Sequence, residues 1–224
     1  MDKVHTYASS INQLVTGDFF KALKKDKYPT QKEFIHSHYG FLKAVECWSD
    51  LLIQMLSRAT TSKERAVFIE NLYDEHGNGN LDNSHVNTFI MLIKSLDHTE
   101  NLSLINCTQS TSYKFAVSAF INKLKSALNT KSFQFCCGML GIIEYIYIDA
   151  SGEIHNYLTK FLPPDQINHY SLHEILDKKH ADDLFSLIDT NDMSEGERGM
   201  SYGYDAMWDM YQSMSILLPM NNSA

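Results

Sequence analysis

The stretch that most limits what this chain can fold into runs from Lys131 to about Asp149. It is the most apolar part of the sequence and carries no turn signal. Aromatic and β-branched residues mix over Ile142–Ile148, which would suit a strand, but the segment is too long and too poor in turn residues for that. The spacing predicts a buried central helix around which other helices must pack. Helical spacing puts Cys137, Gly141, Glu144 and Ile148 on one stripe. Glu144 therefore lies in the middle of the most buried helix. A lone carboxylate there is costly unless it is paired or bound to a metal. Few basic residues fall on inward stripes, so a salt bridge is the weaker of those two solutions.

A second stretch poses the same problem more sharply. His173-Glu-Ile-Leu-Asp177-Lys-Lys-His180 lies in a helix predicted from about Tyr170 to Ile188. Steps of four and three at about 100° per residue stack His173, Asp177 and His180 on one face. Leu176 and Leu184 extend that face, so it should point inward. Buried and unpaired, such groups would cost several kcal/mol. A metal ion compensates them most simply, since neutral imidazole and carboxylate both ligate iron, manganese or zinc.

The rest of the chain also reads as helix. One amphipathic helix and a turn fill residues 1 to about 27. A long helix opens at Pro29-Thr30, with Thr30 and Glu33 as a capping box, and carries a seam of Phe34, His38, Phe41, Val45, Trp48, Leu52 and Met55. The next, from about Lys63 to His76, is capped by Thr60-Thr61-Ser62 and broken by Gly77-Asn-Gly-Asn80. Further helices are predicted over Asn83 to about Asp97 and Ser110 to Leu128. Residues 98–109 read as loop. The central helix or an irregular piece continues to Leu162, where Pro163-Pro164 ends it. A polar loop over 189–199 and a last helix over Tyr202 to Leu217 complete an all-α chain of about seven or eight helices, read as one domain over 1–224.

Glu75 ends one helix and His85 starts the next, on either side of the glycine turn, which lets two helix ends approach a common point. Asp74, Asn78, Gly79 and Asp82 also echo a calcium loop, but its twelfth position holds His85 where calcium needs a bidentate Glu. Collected, Glu75, His85, Glu144, His173, Asp177 and His180 give carboxylates and imidazoles enough for two metal ions. A carboxylate-rich helical site suits iron, although the paired Glu-x-x-His signature of ferritin-like bundles is absent.

Charge and cysteines narrow the remaining classes. A net charge of −8 disfavours a nucleic-acid binder, and no run of 18 apolar residues suggests a membrane span. Cys47, Cys107, Cys136 and Cys137 form neither a CxxC nor a disulfide framework, so a reducing cytoplasm is expected.

The combination Asn71-Leu-Tyr-Asp-Glu75-His-Gly77-Asn-Gly79-x5-His85, then Glu144 in an apolar helix, then His173-x3-Asp177-x2-His180, resembles the haem-oxygenase-like diiron oxidases, relatives of the TenA/PqqC superfamily. The resemblance covers nearly the whole chain. It implies a haem-oxygenase-like bundle without haem, two iron ions held by those residues, and O2 as co-substrate; a manganese–iron pair would use the same ligands. It implies N-oxygenation, oxidative C–C cleavage or decarboxylation of a small organic substrate, commonly by a homodimer. Some relatives recruit another carboxylate from the long second helix, for which Glu46 is the candidate, and some use a nearby tyrosine, for which Tyr73 and Tyr145 are candidates. Phe41, Trp48 and Met139 are expected to line the substrate pocket. Two rivals stand beside this one. A TenA-like thiamin-pyrimidine hydrolase would use Cys136 or Cys137 as nucleophile; a non-enzymatic interaction protein would use the metal only to hold its helices.

Overall fold

The computed structural model describes residues 2–25, 31–100 and 108–216, which are helical with no strand among them. The helices are α1 (Asp2–Ile11), α2 (Asp18–Lys24), α3 (Gln31–Arg58), α4 (Ser62–Glu75), α5 (His85–Glu100), α6 (Thr108–Thr130), α7 (Phe133–Leu158), α8 (Asn168–Phe185) and α9 (Ser194–Ile216). The apolar stretch is indeed the axis of the fold. α7 packs along α8 on one side and along α9 on the other, while α3 and α6 pair with each other and close the remaining side. Among the described residues α7 alone is long and apolar enough to cross a membrane, and 72% of that window is buried inside the fold, as in a core helix.

Local chemistry sets the helix boundaries. Thr61 caps α4 through a reciprocal box with Glu64. Ser132 caps α7 by accepting from the Phe135 amide. Arg58, at the end of α3, donates to the carbonyls of Leu128 (2.7 Å) and Lys131 (2.6 Å), which satisfies acceptors that the end of α6 leaves open. Thr30, expected to cap α3, lies outside the described residues.

Several boundaries differ from the expectation. The first segment is two helices, because a 3-10 turn at Leu14–Thr16 and Gly17 separates α1 from α2. α5 runs on to Glu100 and α6 starts at Thr108, so both helices extend into the predicted loop, of which residues 101–107 lie outside the described residues. α7 ends at Leu158, before the prolines, and Pro164 opens a short 3-10 turn instead. The largest difference is α9, which begins at Ser194 rather than Tyr202. Residues 194–199, expected as part of a polar loop, are helical, and the glycines of α9 are contact points. A Cβ on Gly199 would stand 1.9 Å from the Phe135 carbonyl oxygen, and one on Gly203 would stand 2.5 Å from that of Met139. The absent side chains let the α9 and α7 backbones touch, and that packing outweighs the weak helix propensity of glycine.

Candidate metal centre

The two unstable-looking stretches meet at one place. Gly141 on α7 takes the ring of Phe185 so closely that a Cβ would lie 2.7 Å from it. This draws α8 against α7 one turn from Glu144. His180 then reaches Glu144, its Nδ1 3.9 Å from Oε2. From the opposite side, the α4–α5 turn brings in Glu75 and His85. That turn needs left-handed backbone at Gly77 (φ 77°), Asn78 (φ 55°) and Gly79 (φ 86°). At Gly77 any Cβ would also meet the Asn80 carbonyl oxygen at 2.2 Å.

Ligand-type atoms of Glu75, Glu144 and His180 all lie within 4.8 Å of one another. The others surround them, and all are buried. His85 Nδ1 bonds Glu75 Oε2 at 2.8 Å, and His173 Nδ1 bonds Asp177 Oδ1 at 2.8 Å. The rings of His85 and His173 are 4.7 Å apart. The structure thus brings together Glu75, His85, Glu144, His173, Asp177 and His180, which lie on four different helices or helix ends.

The hydrogen bonding around them is incomplete in a specific way. His85 Nε2, Asp177 Oδ2 and His180 Nδ1 are buried with no hydrogen-bond partner. Asn71, one turn before Glu75, is buried with neither amide atom bonded. Leaving such an atom unmade costs about 1–3 kcal/mol, more where charge is involved. Mixed carboxylate oxygen and imidazole nitrogen is a donor set suited to iron, manganese or zinc, so these residues fit a transition-metal centre.

Electrostatics reflect the same crowding. Burial, then the charges of Asp177 and Glu75, hold the Glu144 carboxyl well above its usual range, against the Trp48 hydrogen bond that favours ionisation. Burial likewise raises Asp177 well above its ordinary value, with His85 opposing and Glu75 adding. Burial and then His85 depress His173 to about 3. At Glu75 burial acts upward, but His85, His173 and His180 outweigh it and leave the carboxyl low. His85 is raised: burial works against its charge, but Glu75 beside it prevails. Protons and charge are thus distributed as one cluster rather than as independent groups.

Three neighbours were not among the ligands or redox residues expected from the sequence. Asp74 Oδ2 accepts from His180 Nε2 at 3.1 Å and is itself 3.5 Å from Lys179 Nζ. This fixes the His180 ring with Nδ1 towards Glu144. Tyr147 presents its ring edge-on to His173, 5.1 Å between centroids; it lies three residues after Glu144, a spacing that could have found it. His169 packs 4.6 Å from His173 and its Nδ1 is 3.0 Å from Thr88 Oγ1. Trp48, expected only in the pocket, also donates its indole N–H to Glu144 Oε1 at 2.9 Å.

Other expectations are corrected. The Glu46 side chain is 46% exposed and faces Lys43 at 3.9 Å, so it points outward from α3. Tyr73 is 56% exposed. Tyr145 leaves α7 about 100° from Glu144 and packs against Phe185 and His5 instead. Met139 is buried where α7 meets α9 rather than lining the cavity. The calcium-loop residues Asn78 and Asp82 are exposed, while Asp74 turns to α8. Cys136 and Cys137 are fully buried, their thiols raised by burial, so neither has the thiolate character of a nucleophile.

A cavity opens beside Glu75 and Glu144, with about 60 Å³ open to the centres of water molecules. Phe41, Val45 and Trp48 of α3 form one wall, and Met207 and Met210 of α9 another. His85, His173 and Tyr147 border it as well.

An all-helical bundle with a buried carboxylate–imidazole cluster beside an apolar cavity defines a class of metal-dependent redox scaffold. The chain belongs to the iron-containing redox enzymes: the signature of that family matches residues 39–212. Among solved structures, a CADD-like protein of unknown function from Nostoc punctiforme PCC 73102 has the same fold. Its 2.00 Å crystal structure matches with a TM-score of 0.72 and 16% identity over 97% of this chain and 99% of its own. Its 1.35 Å structure gives 0.73 and 13% over 100% and 99%. At those identities the likeness is one of fold, and it confirms the haem-oxygenase-like all-α bundle expected from the sequence. No curated protein matches the chain.

Proposed function

We propose that the protein is a nonhaem diiron oxidoreductase that uses O2 to oxidise a small organic substrate. Glu75, His85, Glu144, His173, Asp177 and His180 are the proposed ligands. When bound, two iron ions would supply O2 activation and the electrons for it; a manganese–iron pair would fit the same donors. The observation that carries this reading is the set of orphaned buried atoms, His85 Nε2, Asp177 Oδ2 and His180 Nδ1, gathered about Glu144 and Glu75 in a member of an iron-containing family.

The chain's own part follows from its geometry. Asp74 orients His180 and fixes which ring nitrogen faces inward. Trp48 holds one oxygen of Glu144 and leaves the other to face His180. The Glu75–His85 and His173–Asp177 hydrogen bonds hold protons among the proposed ligands, so protons would compete with metal at these residues, while His85 Nε2 and Asp177 Oδ2 stay free to ligate. Phe41, Val45, Met207 and Met210 keep the space beside the cluster apolar, which excludes water from the reacting atoms.

Metal analysis of protein produced with iron tests this directly. About two iron ions per chain, lost on substituting Glu144 or His180, together with O2 uptake that accelerates when a substrate is added, is the expected result. A folded chain that retains no transition metal ends the proposal.

A further inference from the structure

The lining of the cavity is of two chemically unlike kinds. One is the cluster of Glu75, His85, Glu144 and His173; the other is hydrocarbon and thioether, from Phe41 and Ala44 of α3, Phe120 of α6, and Met207 and Met210 of α9. Among the described residues no Lys or Arg lines it. The indole N–H of Trp48, which also lines it, is already committed to Glu144. From this asymmetry we infer that the substrate has an apolar body with a single ionisable head group at the reacting end, and no second charge. The inference rests on the metal proposal for the identity of that end.

The physical reason is desolvation. A second ammonium or carboxylate pushed against the apolar lining would lose its water and meet no counter-charge in return. A methylene in the same place gains about fourfold in affinity. Charged-side-chain amino acids, polyamines and diacids are therefore poor candidates; short monoamines and monocarboxylates with aliphatic or aromatic bodies are good ones. The roughly 60 Å³ available is small, so the body is short. Methionine thioethers in the lining suit such a variable apolar shape.

Matched probes on the iron-loaded, full-length protein decide the matter. Hexanoate is compared with hexanedioate, and hexylamine with 1,6-diaminohexane, by calorimetry and by perturbation of the iron absorption bands. One singly charged series should bind, tightening with chain length until the cavity is full, and its doubly charged partner should bind at least about 100-fold more weakly. Doubly charged partners binding within a few-fold of their singly charged counterparts overturn the inference, as does failure of every singly charged probe. Hexanol on metal-free protein separates this from the metal proposal. If hexanol binds but the protein takes up no iron, the diiron centre is lost and the apolar wall stands. If iron loads normally and the diamine competes equally with the amine, only the present inference is lost. Met210→Arg should shift the preference towards hexanedioate, and Ala44→Phe should weaken hexanol binding while iron content is unchanged. Circular dichroism shows whether each variant folds, and the probe series on the natural chain decides without them.

Discussion

α7 meets α9 and α8 along surfaces of comparable extent, but it holds the two by opposite means. Against α9 the contact is backbone on backbone, with Gly138 of α7 and Gly199 and Gly203 of α9 set where any side chain would collide. Against α8 one turn is equally close, at Gly141 and Phe185, but the next presents Glu144 to His180 and Asp177. The first interface is complete as it stands. The second contains buried groups whose bonding is unfinished. A protein can afford this only where something else compensates the deficit, so the contrast separates the part of the core that makes the fold from the part that makes the site.

The contrast is broken most violently at the dry interface. Gly199→Ala places a methyl against the Phe135 carbonyl and should cost about 3 kcal/mol or more of stability, measured by urea unfolding, with or without iron. If it is neutral, the α7–α9 contact is not the rigid seam described here. At the other interface the effect should depend on metal. Asp177→Asn removes a buried carboxyl whose ionisation is disfavoured, so the metal-free protein should become no less stable, and by up to about 1–2 kcal/mol more so. The same variant should lose most of its bound iron and the stabilisation that iron gives. A variant equally unstable in both states would mean that Asp177 is a purely structural group.

Asp74→Asn should be milder. The His180 ring keeps its place but loses its charged partner, and iron affinity should fall about 10–100-fold by competition with a chelator. The pH dependence is gentler again. Asp177 and Glu144 are raised in the fold, so the metal-free protein binds more of their protons than the unfolded chain does. Their contribution is full below about pH 4 and is lost as pH rises through their elevated values. His173, lowered to about 3, has the opposite sign, and its effect is complete above about pH 6.5. From about pH 6.5 to 8 the carboxyl effect is joined by that of His85, which is also raised in the fold and so has the same sign. The gap between iron-loaded and metal-free melting temperatures should widen across that window, since bound metal displaces those protons. Smallest of all, Glu46→Gln and Tyr73→Phe should leave iron content unchanged and stability within about 0.5 kcal/mol, because both side chains face solvent.

How far the sequence could be read follows from the same contrast. The inward stack of His173, Asp177 and His180 was legible because fixed helical steps relate residues on one helix, and their polarity on an apolar face is hard to explain otherwise. Glu144 was legible because a carboxylate in the most apolar segment demands compensation. The turn that joins Glu75 to His85 was legible from its two glycines. Orientation around a helix axis was less so: Tyr145 and Tyr147 are two positions apart and face different ways, and only the i+3 relation to Glu144 favours the second. Asp74 carried no such signal, since its role comes from α8, which is far away in the chain. The start of α9 reads from the sequence as the end of a polar loop. Glycine weakens an isolated helix, and nothing local says that another backbone will lie against it.

The seam between α7 and α9 has a consequence for what the enzyme can accommodate. Met207 and Met210 project from a helix locked to its neighbour at main-chain distance, so that wall cannot retreat by sliding or tilting α9. Room for differently shaped guests on this side must come from torsions of the two unbranched thioether chains, which have three rotatable bonds each. Selectivity there would be a matter of side-chain upholstery on a fixed frame, tunable by exchanging one methionine for leucine or isoleucine without disturbing the bundle.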